Sequence, residues 1–194
     1  MRALLVRHGQ SLGNADPPAV PSSTHGDELT DLGREQADML AQSLEEQGVT
    51  DLITSPMRRA QETAEAIGAQ LGLEPEIDEQ IHEFRTHPEM EPFEEIRGRA
   101  RALLARLAGN YEDRTPLVVT HGIFLRVLLM DVVLGEMFVS EMVEQLWNLR
   151  TANCGVSVFE YGERYDVLNP ELPGWVCASW MERPWGAPVP PAPR

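Results

Sequence analysis

Ala3-Leu4-Leu5-Val6-Arg7-His8-Gly9 is the stretch whose reading decides the fold. Its four apolar side chains run without a break. A strand with one wet face would alternate apolar and polar residues, so an unbroken run predicts a strand buried on both faces. The run ends on a cation, an imidazole and a glycine. Isolated charge in a core is costly, so these groups belong at the end of the strand, where they can meet partners or a ligand. The pattern recurs at Pro116-Leu117-Val118-Val119-Thr120-His121-Gly122. One such ending is noise, whereas two on separate apolar strands are harder to dismiss.

Helical patterns fill the intervening sequence. Thr30 can cap a helix reaching about residue 47, with Leu32, Ala37, Leu40 and Leu44 on one face and Gly48 at its end. A short strand over 52–54 is followed by Ser55-Pro56, which reads as an N-cap and a proline at the first helical position. That helix stops at Gly72. Another runs from about Pro92 to Gly109. Residues 122–134 form an apolar helix, and 135–149 continue with a helical pattern rich in Met. Residues 156–161 and 164–168 flank Gly162 and read as a hairpin. Strand–helix alternation predicts an α/β three-layer sandwich, with a largely parallel central sheet flanked by helices. One domain is expected over 1–183, with a proline-rich irregular tail over 184–194.

Bulk composition narrows the function. The 194 residues are 42% hydrophobic with a formal net charge of −15. So acidic a chain is a poor binder of nucleic acid or anionic membrane. A local cation cluster can still attract a small anion. All 16 basic residues are Arg, so any phosphate contact comes from Arg, His or backbone N–H. Two cysteines, Cys154 and Cys177, do not suggest a disulfide scaffold, and a reducing cytoplasm is the default. The apolar start before Arg7 is too short for a signal-peptide core. Arg126 and Asp131 interrupt the most apolar stretch, which is too short to span a bilayer.

In a parallel sheet, ligands bind beyond the carboxyl ends of the strands. Arg7-His8-Gly9, the segment from Ser55 to Arg59, and His121-Gly122 all fall there. Gly9 leaves room for a ligand's oxygens near the backbone. Arg58 and Arg59 oppose the positive end of a helix dipole, which makes sense if an anion sits there. Arg58 is expected to point to solvent.

These residues resemble the histidine phosphatase superfamily, also called the phosphoglycerate mutase-like family. The likeness rests on Leu5-Val6-Arg7-His8-Gly9-Gln10-Ser11 with Asn14, and on the segment from Leu29 to Ala37. It continues through the segment from Ser55 to Ala64, then Ile81-His82-Glu83, and Val118-Val119-Thr120-His121-Gly122. The resemblance implies that His8 is the nucleophile that becomes phosphohistidine. It implies that Arg7, Arg59 and a protonated His121 surround the phosphate, with Asn14 completing the pocket. Gln10, Ser11 and Gly122 are expected to contribute to substrate binding. Glu83 falls where the family places its proton donor, partly buried beside other acidic groups. Glu79 and Glu89 are near enough to be rivals. Glu62 stands where Gln is frequent and is expected to alter only the helix surface.

No metal and no cofactor is expected. The five histidines, His8, His25, His82, His87 and His121, show no helical ligand spacing. His82 and His87 read as loop or surface residues. The loop from Asn14 to Asp27 reads as a wall beside the nucleophile, or as a passive surface. The segment from Met130 to Met142 reads as core, an apolar lid or a subunit contact. The expected partner is a small phosphorylated metabolite. The oligomeric state is left open, a homodimer being one option. Three functions compete: a phosphomonoesterase, a phosphoglycerate mutase, and a catalytically silent binding module. The mutases of the family place Arg directly after the catalytic Glu, whereas Phe84 stands there.

Overall fold

The unbroken apolar run of β1 (Arg2–Arg7) is divided between two cores, as burial on both faces requires. Ala3 and Leu5 point to one side, and Leu4 and Val6 to the other. The computed structural model describes residues 1–16, 27–85, 89–163 and 173–183. Among these, six strands form one sheet in the order β3-β2-β4-β1-β5-β6. The strands β2 (Asp51–Thr54), β3 (Glu76–Ile77) and β4 (Pro116–Thr120) run parallel to β1. β5 (Val156–Glu163) and β6 (Pro173–Glu182) close the far edge antiparallel.

Helices α1 (Asp31–Ser43) and α2 (Arg58–Leu71) cover one face, where Ala37, Leu40, Ala60, Ala64 and Ile67 meet Leu4, Val6, Leu117 and Val119. Helices α3 (Phe93–Asn110) and α4 (Gly122–Leu134) cover the other, where Ile96, Leu103, Leu107, Phe124 and Leu128 meet Ala3, Leu5 and Val118. The three-layer α/β architecture matches the sequence expectation. Among the described residues, no helix is long and apolar enough to cross a membrane.

Several local expectations are corrected. Thr30 does cap α1, its hydroxyl accepting from Gly33 N at 3.0 Å, and Gly72 ends α2 with φ of 69°. Leu32, however, is 48% exposed. It lies five residues before Ala37, about 140° round the helix from the stripe of Ala37, Leu40 and Ala41 that is buried. Ser55-Pro56 does not start α2. Met57 is its extended N-cap, and Ser55 turns inward to a histidine described below. After α4, residues 135–137 and 140–148 are 3₁₀ turns rather than α-helix. Met130 and Met142 pack on the core there, while Met137 is exposed. β5 runs through Gly162 and pairs with β6 over 173–182, and the second arm expected for the hairpin, 164–168, falls outside the described residues. Residues 164–172 and the proline-rich tail lie outside the described residues, as do His25 and His87.

Candidate active site

The parallel pairing of β1 with β4 sets Arg7 opposite Thr120, so His8 and His121 leave the sheet side by side. Their ring centroids are 5.1 Å apart. His8 is 3% exposed and sits on a cavity of about 510 Å³. Its Nδ1 lies 2.7 Å from the Gly9 carbonyl oxygen, which can only accept. The ring proton is therefore on Nδ1, and Nε2 keeps its lone pair. Arg59 donates from Nε to that Nε2 at 3.1 Å. Burial first, then the charges of Arg7 and Arg59, hold the His8 imidazole well below its ordinary pKa.

Arg7 is anchored by donating from Nη1 to the Thr151 carbonyl at 2.8 Å, and burial pulls its guanidinium down to about 10. Its Nε is buried without a hydrogen-bond partner among the described residues. Asn14 presents a similarly unpartnered Nδ2, its Oδ1 being taken by Ser11 N at 2.7 Å. Unsatisfied buried donors are rare, and two on the wall of one cavity suit an anion. Arg59 is 3% exposed and also faces the Asp27 carboxylate at 3.6 Å. Arg58 points outward as expected, paired with Glu28 and Glu62.

Glu83 lines the cavity, half-buried, at the N-terminus of α4. Its Oε1 accepts from Phe84 N at 3.0 Å and Phe124 N at 3.2 Å, and its Oε2 from Ile123 N at 3.3 Å. Its charged neighbours are Arg7, Arg59 and Arg126, not the acids anticipated. The rivals Glu79 and Glu89 are exposed and do not line the cavity.

The remaining sequence candidates divide. Ser11 and Gly122 line the cavity, but Gln10 does not, its side-chain carbonyl accepting from Thr30 Oγ1 at 2.8 Å. His121 lies behind His8, fully buried, 2.7 Å from Ser55 Oγ. Burial, His8 and the two arginines push it well below its ordinary pKa, so it is neutral here rather than protonated. Gly9 has a different reason from the one anticipated. A Cβ there would stand 2.6 Å from the Gly33 carbonyl oxygen, so the close approach of α1 excludes a side chain. His82 is a loop residue, as expected, and lines the cavity. Glu62 does more than alter the helix surface, since its carboxylate accepts from Leu29 N at 2.9 Å and braces the chain after Asp27. Of the loop from Asn14 to Asp27, residues 17–26 lie outside the described residues.

Four features escape a reading of the sequence. Asp27 is 1% exposed and accepts from Ser11 Oγ at 2.7 Å and Gly13 N at 2.8 Å. Thr63 of α2 accepts from Gly9 N at 3.0 Å. The loop before β5 grips the backbone at His8: Cys154 N donates to the carbonyls of Arg7 at 2.9 Å and His8 at 3.2 Å, and Asn153 Nδ2 donates to His8 O at 3.1 Å. Arg126, one turn into α4 on the side of Gly122, leans back toward the cavity as helical side chains do. It donates to the Leu149 carbonyl at 2.8 Å and stacks on the Trp147 ring at 5.1 Å. The signal for Arg126 was present, the one cation of a helix whose only other charged residue is Asp131.

The two buried histidines make stability pH-dependent. The folded protein keeps both neutral, while the unfolded chain protonates them below about 6.5. Their contribution is therefore complete above that pH and is lost as pH falls below it. The slope reaches at most about 1.4 kcal/mol per pH unit for each histidine. Melting curves between about pH 7.5 and 5 should show this fall, and His121→Gln should make it shallower. An unchanged slope in that variant removes His121 from the account.

A neutral imidazole with a fixed tautomer, two arginines and a carboxyl group around one cavity can hold and transfer a phosphoryl group. The sequence pattern of the histidine phosphatase superfamily, branch 1, matches residues 3–88 and 83–169, and the chain belongs to that superfamily. A probable phosphoglycerate mutase, GpmB, from Yersinia enterocolitica is 30% identical over 211 aligned residues, covering 93% of this chain and 90% of that protein. The fold is shared with a mycobacterial glucosyl-3-phosphoglycerate phosphatase solved with VO3. That likeness has a TM-score of 0.72 at 20% identity, over 94% of this chain and 99% of the other. It is shared equally with the phosphoserine phosphatase of Entamoeba histolytica solved with 3-phosphoglyceric acid, with a TM-score of 0.72 at 21% identity, over 94% and 97%.

Proposed function

We propose that this protein hydrolyses the phosphomonoester of a small metabolite through a phosphohistidine at His8. The observation that carries the reading is the His8 ring itself. Gly9 O fixes its tautomer, and Nε2 lies bare of a proton at the arginine-lined cavity. In the first step the Nε2 lone pair forms a bond to phosphorus as the ester P–O bond breaks. Glu83 gives its proton to the leaving oxygen. In the second step water attacks phosphorus, Glu83 takes a proton from it, and the P–N bond breaks to release inorganic phosphate. Arg7 and Arg59 neutralise the transferring group throughout, as preformed charges that need no reorganisation.

Arginine here takes the part that a divalent cation plays in many phosphotransferases. Activity is accordingly expected to survive EDTA, and vanadate to inhibit as a transition-state analogue. Loss on chelation, restored by a divalent metal, contradicts the proposal.

The mutase reading draws on the name of the Yersinia relative. Against it, Phe84 follows Glu83, and Arg85 is engaged with Glu95, although Arg126 also lines the cavity and is placed to meet a substrate carboxylate. The intact cation set disfavours a silent binding module. The deciding measurement compares rates on one preparation. Hydrolysis of phosphate esters should outpace isomerisation of 3-phosphoglycerate. Faster isomerisation, primed by a bisphosphoglycerate, makes the protein a mutase, and no turnover of any ester makes it a binding module.

A further inference from the structure

Glu91 and Arg99 form an ion pair away from the cavity. The Glu91 side chain is fully buried and that of Arg99 is 7% exposed. The contact is bidentate, Nε to Oε1 at 2.8 Å and Nη2 to Oε2 at 2.9 Å. A buried ion pair is weak support for stability, because desolvation consumes most of the attraction. Its remaining hydrogen bonds show a more specific role. Arg99 Nη1 donates to the carbonyls of Gln80 at 2.5 Å and His82 at 3.1 Å. Glu91 Oε2 accepts from Arg85 N at 3.2 Å, and Glu91 N donates to Arg85 O at 2.9 Å. The pair thus grips the backbone on both sides of Glu83.

The other anchors of that stretch converge on the same place. Thr120 Oγ1, at the end of β4, donates to Ile81 O at 2.7 Å. The Arg99 guanidinium lies 5.3 Å from the ring centroid of Phe124, whose amide donates to Glu83. Residues 82–85 have no helix or strand hydrogen bonds of their own. Proton transfer requires the donor within hydrogen-bond reach of the leaving oxygen, and a displacement of about 1 Å costs rate heavily.

We infer that Glu91 and Arg99 are positioning residues, an ion-paired clamp that aims the Glu83 carboxyl at the leaving group. The inference rests on the reading of Glu83 as proton donor. Releasing the clamp should therefore slow esters with poor leaving groups more than those with good ones. A purely structural role predicts equal losses, because it changes only the fraction of folded enzyme.

The test uses the full-length protein with the double substitution Glu91→Met with Arg99→Met, which leaves no orphaned charge, and separately with Arg99→Lys. Each is compared with Glu83→Gln on an alkyl phosphate and on p-nitrophenyl phosphate. The clamp variants should lose roughly tenfold or more in kcat on the alkyl ester relative to the aryl ester. Adding either to Glu83→Gln should produce little further loss on the alkyl ester, since both changes act through one proton. Amide hydrogen exchange should rise at residues 82–85 in the clamp variants and not across α3. Equal losses on the two esters, additive losses with Glu83→Gln, or unchanged exchange at 82–85 overturns the inference. If Glu83→Gln itself shows no dependence on leaving group, the donor reading fails. In that case exchange alone decides whether the pair holds the loop, and the aiming role falls with the donor.

Discussion

His8→Ala is expected to abolish turnover while the fold persists. Deleting a covalent nucleophile costs on the order of 10⁶ in kcat where the other catalytic groups act through it, and a loss on that scale is anticipated. Here the dependence on His8 is strong for a geometric reason. Arg59 donates directly to its Nε2, and His121 packs behind its ring at a tilt of 57°, so the neighbouring groups are arranged around this imidazole. The backbone at position 8 is held independently, through its amide to Thr120 O at 3.0 Å and its carbonyl to Cys154 and Asn153. Alanine should therefore leave a small cavity rather than a displaced strand. Rapid quenching of the unmodified protein with labelled substrate should trap phosphate on His8. The bond should be acid-labile and base-stable, as a phosphoramidate is. Label on a serine or a carboxylate refutes the mechanism.

Glu83→Gln is expected to lose roughly 10²–10⁴ in rate on alkyl phosphates, or about 3–5 kcal/mol of transition-state stabilisation. Glutamine keeps the shape and can still accept from Phe84 N and Phe124 N, so the loop should stay in place. What disappears is the proton. An alkoxide leaves poorly without one, whereas p-nitrophenolate needs little help, so the loss on p-nitrophenyl phosphate should be much smaller. A uniform loss on both substrates would mean that Glu83 serves binding or structure instead. A larger loss at Glu79 or Glu89 would move the role, although both side chains are exposed and outside the cavity.

The centre of the fold was legible because burial on two faces leaves a plain mark. The apolar runs of β1 and β4 were read within a residue or two, and α4 was bounded correctly by its glycines. The edges were not. β3 is two exposed residues held only by pairing with β2, so no hydrophobic pattern announces it. β6 is an edge strand of half-buried residues interrupted by a register shift, which blurs its alternation. In the site, side chains that reach the cavity from the end of β1 and the start of α2 were readable, as with Arg7, His8 and Arg59. Residues that act through the main chain were not. Cys154 adopts φ of 51° to aim its amide at the carbonyls of Arg7 and His8, and a cysteine carries no sequence signal for that conformation. Ser55 was misread as a helix cap because a Ser-Pro pair usually is one. Its hydroxyl accepts from Met57 N at 3.3 Å but also meets His121 at 2.7 Å, a partner that no local pattern could supply.

The register of β1 on β4 also ties catalysis to the order in which the chain assembles. Arg7 opposes Thr120, two residues far apart along the chain, and each is followed at once by its histidine. A slip of one residue would turn one imidazole to the opposite face of the sheet. Contacts between distant segments form late, since the intervening chain must first be closed into a loop. Activity regained during refolding is therefore expected to time the closing of the sheet's centre, with helical signal returning ahead of it.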